Sequence, residues 1–135
     1  MLKHAWTVLM GTPRDMATHQ FEKEKKRLCA MEELDERYRN NIKNTQLIFG
    51  TKKTVMGLAH FPPPLIELSS YFVDNKIDIV DTIRHEFAHI AVGPGRGHDD
   101  EWKRVVTLMG GVPDADGHAS SLPKGKWELK CTTCD

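Results

Sequence analysis

His85-Glu86-Phe87-Ala88-His89-Ile90-Ala91-Val92-Gly93-Pro94-Gly95-Arg96-Gly97-His98 sets three imidazoles and a carboxylate within fourteen residues, and its reading decides the fold. Residues four apart on an α-helix project from one face about one turn apart, so His85 and His89 can ligate one Zn²⁺ with Glu86 beside them. On a wheel from Asp78 to Val92, the residues Ile79, Val80, Ile83, Phe87, Ile90 and Ala91 form one apolar stripe. His85, Glu86 and His89 occupy a contiguous arc centred roughly opposite it or on its flank. One face of the predicted helix therefore anchors in a core, and the other looks into a cleft. Gly93 to Gly97 cannot continue the helix, because Gly favours left-handed stop positions and Pro94 lacks a donor. The chain turns back and brings His98 in as a third ligand, just before Asp99-Asp100-Glu101-Trp102, where Asp99 is placed to cap a new helix. Three protein ligands leave a fourth zinc position open, which is what catalytic rather than structural zinc requires. A surface helix carrying two solvated histidines is the blander alternative, and it leaves Glu86 and His98 as coincidences.

Working outward, residues 1 to 11 are compatible with helix or strand, with a short helix the favoured reading. Thr12-Pro13-Arg14-Asp15 is a stronger start, with a capping Thr, Pro at the first helical position and an acid at the third. Phe21, Leu28, Met31, Leu34 and Tyr38 recur at helical spacing until Asn40-Asn41, which predicts a long N-terminal helix with Cys29 at its core boundary. The basic run Lys23-Glu24-Lys25-Lys26-Arg27 reads as the solvated face of that helix; nucleic-acid contact is a weaker reading, unsupported by interleaved aromatics. Gln46–Phe49, Val55–Phe61 and Leu65–Leu68 are short extended runs, the last two separated by Pro62-Pro63-Pro64, and predict a small antiparallel or mixed sheet.

Asp74, Asn75, Lys76 and Asp78 are alternative caps for the His85–His89 helix, with Asp81 adding charge to its first turn. Beyond His98, Trp102, Val105, Val106 and Met109 predict a helix that stops at Gly110-Gly111, with Trp102 packed under the metal loop. Residues 112 to 125 read as a loop; His118 within it is solvated unless the loop returns to the metal. Cys131 and Cys134, a C-x-x-C, suit one edge of a second, structural metal site that lacks two ligands. Helical, then alternating, then helical periods make the chain α+β.

Composition bounds the rest. One domain with 39% hydrophobic and 28% charged residues is an ordinary globular chain. Lys plus Arg equal Asp plus Glu at 19 each, so no global field recruits nucleic acid or anionic membrane. The N-terminus is too short and interrupted for a signal peptide, and no stretch is long enough for a membrane span, so a cytoplasmic location without a membrane partner is expected. Three cysteines fit a reducing compartment and metal ligation better than a disulfide framework.

The run Asp81-Thr82-Ile83-Arg84-His85-Glu86-Phe87-Ala88-His89, then eight residues to His98 with Trp102 following, resembles the SprT-like zinc metalloproteases, particularly their short phage and bacterial members. In metzincins the third His follows much sooner. Thr54 to Ala59 and Leu65 to Ser69 are similar to the two strands that precede the family's active-site helix, and the resemblance spans about Asn44 to Gly111. Asp99 departs from it, standing where the family usually has Gly after the third ligand.

The resemblance implies a zincin-like minimal metalloprotease domain over residues 1–122 and a tail over 123–135. It makes the Cys131–Cys134 pair the opening half of a zinc ribbon, ordered only if completed, for example by two chains pooling cysteines in a dimer. The expected activity is a zinc-dependent endopeptidase of proteins or peptides, with Zn²⁺ on His85, His89 and His98 and Glu86 as general base. Tyr71, Arg84 and His118 are unranked candidates for the oxyanion partner. Substrate would lie extended along an edge strand, Val55–Phe61. The rivals are a non-catalytic zinc domain that regulates or binds a partner, and a DNA-associated protease. Glu86 discriminates against the first, since a structural site needs no carboxylate beside its ligands, and neutral charge against the second.

Overall fold

Thr12-Pro13-Arg14-Asp15 opens the first helix with a reciprocal capping box: the Thr12 hydroxyl accepts from the Asp15 N–H at 3.1 Å, and the Asp15 carboxylate accepts from the Thr12 N–H at 3.2 Å. The computed structural model describes residues 11–75 and 79–114. Over these the chain runs α1 (Pro13–Cys29), α2 (Glu36–Lys43), β1 (Gln46–Gly50), β2 (Gly57–His60), β3 (Leu65–Ser69), α3 (Ser70–Asp74), α4 (Val80–Val92) and α5 (Asp100–Leu108). The fold is α+β, as the order of periods predicts, with a small sheet between two sets of helices in the chain. The readings of residues 1 to 10, of Lys76 and Asp78, and of the tail fall outside the described residues.

The helical run expected from Thr12 to Asn41 is two helices. α1 closes at Ala30, and Asp35 starts α2 by accepting from the Arg37 N–H at 3.2 Å. Periodicity cannot see this break, because Leu28, Leu34 and Tyr38 all remain buried across it. Asn41, read as an end signal, sits inside α2 and donates to the Ala91 carbonyl at 3.1 Å, satisfying one of the orphan carbonyls that end α4. Asp74 and Asn75 likewise do not cap the histidine helix. They end α3, which the sequence reading missed, and the Asn75 side chain donates to the Tyr71 carbonyl at 2.7 Å. α4 begins at Val80 with Ile79 as its cap and Asp81 in its first turn.

The sheet is mixed, in the order β1-β3-β2. β3 turns back antiparallel onto β2, from Gly57↔Leu68 to His60↔Leu65, through the tight turn at 61–64. That places β3 in the centre, where it runs parallel to β1 from Gln46↔Leu65 to Gly50↔Ser69. β2 is left as an edge strand, packed against α4. Ala59, Ile66 and Leu68 join Phe21 of α1 and Ile83, Phe87 and Ile90 of α4 in the core, with the Phe21 and Phe87 rings stacked at 5.1 Å.

Glu24 corrects the reading of the basic run as wholly solvated. It is buried and accepts from Arg84 of α4 at 2.7 Å and from Arg27 at 2.8 Å, while Arg84 also donates to the Gly110 carbonyl at 3.0 Å. Burial alone would raise the Glu24 pKa, but the two guanidinium hydrogen bonds outweigh it and hold the carboxyl below its ordinary value. The cluster ties α1, α4 and the end of α5 together. Glu24→Gln, which keeps the shape but leaves two arginines facing a neutral amide, is expected to cost about 2–3 kcal/mol. Urea unfolding should show a lower midpoint at unchanged slope, and an unchanged midpoint would mean the cluster is only decorative.

Candidate metal centre

α4 carries its histidines inward rather than on an open face. Every residue from Thr82 to Ala91 except Arg84 is buried, with His85, Glu86 and His89 at 5, 3 and 8% exposure. The helix stops at Gly93, whose φ of 87° is the left-handed region that favours glycine, and Gly95 repeats this at 88°. The reversal delivers His98 back over α4.

The three Nε2 atoms of His85, His89 and His98 form a triangle with every edge 3.2 Å. These are not three hydrogen bonds. A neutral imidazole nitrogen either carries a proton or offers a lone pair, so among three mutually facing nitrogens at least one pair must be alike. A cation resolves the conflict. A triangle of this edge is one face of a tetrahedron whose centre lies about 2.0 Å from each corner, the zinc–imidazole distance. The residues therefore fit a metal ion compatible with zinc, and among the described residues they are the group of metal-ligating side chains that converges, with no fourth protein ligand joining them there.

Trp102 is the floor of the centre. Its ring is fully buried, with centroids 4.8 Å from His85, 5.2 Å from His89 and 4.4 Å from His98, and its indole N–H donates to the His85 carbonyl at 3.4 Å. Asp99 caps α5 by accepting from the Trp102 N–H at 2.9 Å. The departure at Asp99 thus supports the loop. Burial first, and the neighbouring His98 second, push the His89 pKa down to about 3, so this imidazole is neutral at physiological pH, as metal ligation demands.

Glu86 follows His85 directly and lies against the first residue of β2. A Cβ built on Gly57 would stand 2.9 Å from the Thr82 methyl, 3.1 Å from Glu86 Cγ and 3.4 Å from its Oε2, so glycine is what admits the carboxylate here. No periodicity in the sequence could have shown that role for Gly57; it comes from the strand's close approach to α4. Among the oxyanion candidates, Arg84 is turned away into the Glu24 cluster. Tyr71 lies in α3 with its ring edge-on to Phe72 at 5.2 Å, and His118 falls outside the described residues, as do Cys131 and Cys134. Cys29 is a half-buried free thiol packed on the core, as read. A cleft of about 400 Å³ opens beside His89, between the turn after β2 and the glycine loop. Among the described residues no helix is long and apolar enough to cross a membrane.

A family model described as the SprT-like family matches residues 28–121, more than two thirds of the chain. No curated protein and no solved structure matches it.

Proposed function

This chain belongs to the SprT-like family, and on that premise we propose that it is a zinc-dependent endopeptidase. The observation that carries the reading is the buried 3.2 Å triangle of His85, His89 and His98 with Glu86 adjacent on the same helix. When bound, zinc supplies Lewis acidity, which acidifies water and polarises a carbonyl. Glu86 takes a proton from the attacking water and passes it to the leaving amine nitrogen. Its burial between α4 and Gly57 fixes that carboxylate before substrate arrives, so little reorganisation is needed at the moment of reaction. Peptide lies extended along the edge strand β2, gaining main-chain hydrogen bonds that favour no particular sequence.

The partner we propose is protein rather than nucleic acid. In the basic run, Arg27 is engaged by Glu24, and Lys25 donates to the Thr45 carbonyl at 2.9 Å. Residues 123–135 remain, as a proposal, a tail whose Cys131 and Cys134 supply half of a second metal site.

The test is reversible metal removal. Unfolded casein should be cleaved by the purified chain, cleavage should stop after treatment with a zinc chelator, and one equivalent of zinc should restore it. Cleavage that survives demetallation, or none from fully zinc-loaded chain, contradicts the proposal.

A further inference from the structure

We propose that Trp102 is a positioning residue of the metal centre: it holds the three imidazoles in their converged arrangement and so sets how tightly the ion is kept. The inference rests on the metal centre and not on peptide hydrolysis. His85 and His89 are fixed to α4, but His98 follows a loop in which Gly93, Gly95 and Gly97 have φ of 87°, 88° and 58°. Such a loop has many conformations to lose, and each ring has rotamers to lose, before three nitrogens can meet. A rigid group that has already restricted them strengthens binding without touching the ion.

Trp102 is the side chain placed to do this, since one fully buried ring meets all three imidazoles. His85 and His98 stand at 66° and 74° to the indole, edge to face, while His89 lies 21° from parallel. The nearest of the three is His98, at 4.4 Å between centroids, the ligand whose backbone is least constrained. An imidazole bound to a dication is polarised positive, and an electron-rich indole beside it favours that bound state. The indole N–H, donated to the His85 carbonyl, adds a tether to α4.

Trp102 is itself held from both sides. Val105 and Val106 bury the next turn of α5 in the core. At the start of the helix, Asp99 accepts from the Trp102 N–H, its own N–H bonds the Arg96 carbonyl at 3.2 Å, and its carbonyl accepts from the Lys103 N–H at 3.0 Å. The residue next to His98 thus closes the glycine loop and seats the tryptophan, which joins the position of the third ligand to that of the ring behind it.

The test measures zinc affinity on the full chain by competition with a chromophoric chelator. Co²⁺ is loaded in parallel, because its visible absorption reports how nearly tetrahedral the site is. Trp102→Phe keeps an aromatic face and loses the N–H, and should weaken zinc binding by about threefold to tenfold. Trp102→Leu loses the aromatic face as well, and should weaken it by about 10–100-fold, as removal of a partner behind a metal ligand does, with weaker Co²⁺ bands. A tryptophan that served packing alone would give variants that melt lower yet, while folded, bind zinc as wild type does. Because Trp102 is fully buried and its loss threatens folding, Asp99→Ala at the half-exposed cap is the second variant. It should weaken zinc severalfold, and Asp99→Asn, which still caps, should restore the affinity. Wild-type affinity in folded Trp102→Leu, or in Asp99→Ala where the leucine chain does not fold, overturns the proposal. Wild-type chain that binds no zinc overturns it together with the metal centre, whereas tight zinc without hydrolysis overturns the protease reading alone.

Discussion

Glu86→Gln is expected to keep its zinc and to lose peptide hydrolysis by about 10²–10⁴-fold, the range that a positioned general base contributes. The amide preserves the side chain's volume in a niche where even one added Cβ on Gly57 would crowd it, so packing should survive. What disappears is the ability to accept a proton. Metal analysis and initial rates on the same preparation separate the two, and hydrolysis at the wild-type rate would remove Glu86 from the mechanism.

His89→Ala has the second large effect, and it should abolish metal binding and activity together. Removing one corner of the 3.2 Å triangle leaves two protein ligands, and the loss in zinc affinity should exceed the about 10–100-fold that follows from losing an outer-shell partner. It also removes the ring stacked on Trp102 at 5.2 Å, 21° from parallel, so the indole's environment changes. Zinc retained through desalting at wild-type stoichiometry would show that the metal sits elsewhere. Circular dichroism on the same variant reports whether the fold survived, which keeps that outcome interpretable.

The histidine cluster was legible in the sequence because its determinants are local. A four-residue helical repeat, a glycine reversal and a returning His act within fourteen residues, and Asp99 and Trp102 follow from ordinary capping and burial rules. What sequence could not show depends on contacts between distant segments. Glu24 looks like one acid in a solvated basic run until Arg84, sixty residues away, arrives to bond it. Asn41 looks like a helix stop, yet its amide serves the carbonyls of α4. The interruption between α1 and α2 leaves the apolar spacing intact, so a period of 3.6 passes straight across it. Strand direction is equally silent in the three short runs, because parallel and antiparallel pairing of β1 with β3 bury the same alternate residues.

The most direct test of the central claim is zinc-edge X-ray absorption on chain loaded with one equivalent of Zn²⁺. The account predicts three imidazole nitrogens and one further light ligand at about 2.0 Å, with the multiple-scattering signature of histidine rings. A first shell containing sulfur at about 2.3 Å would place the metal on cysteine, Cys29, Cys131 or Cys134, and would contradict His85, His89 and His98 as the principal zinc site.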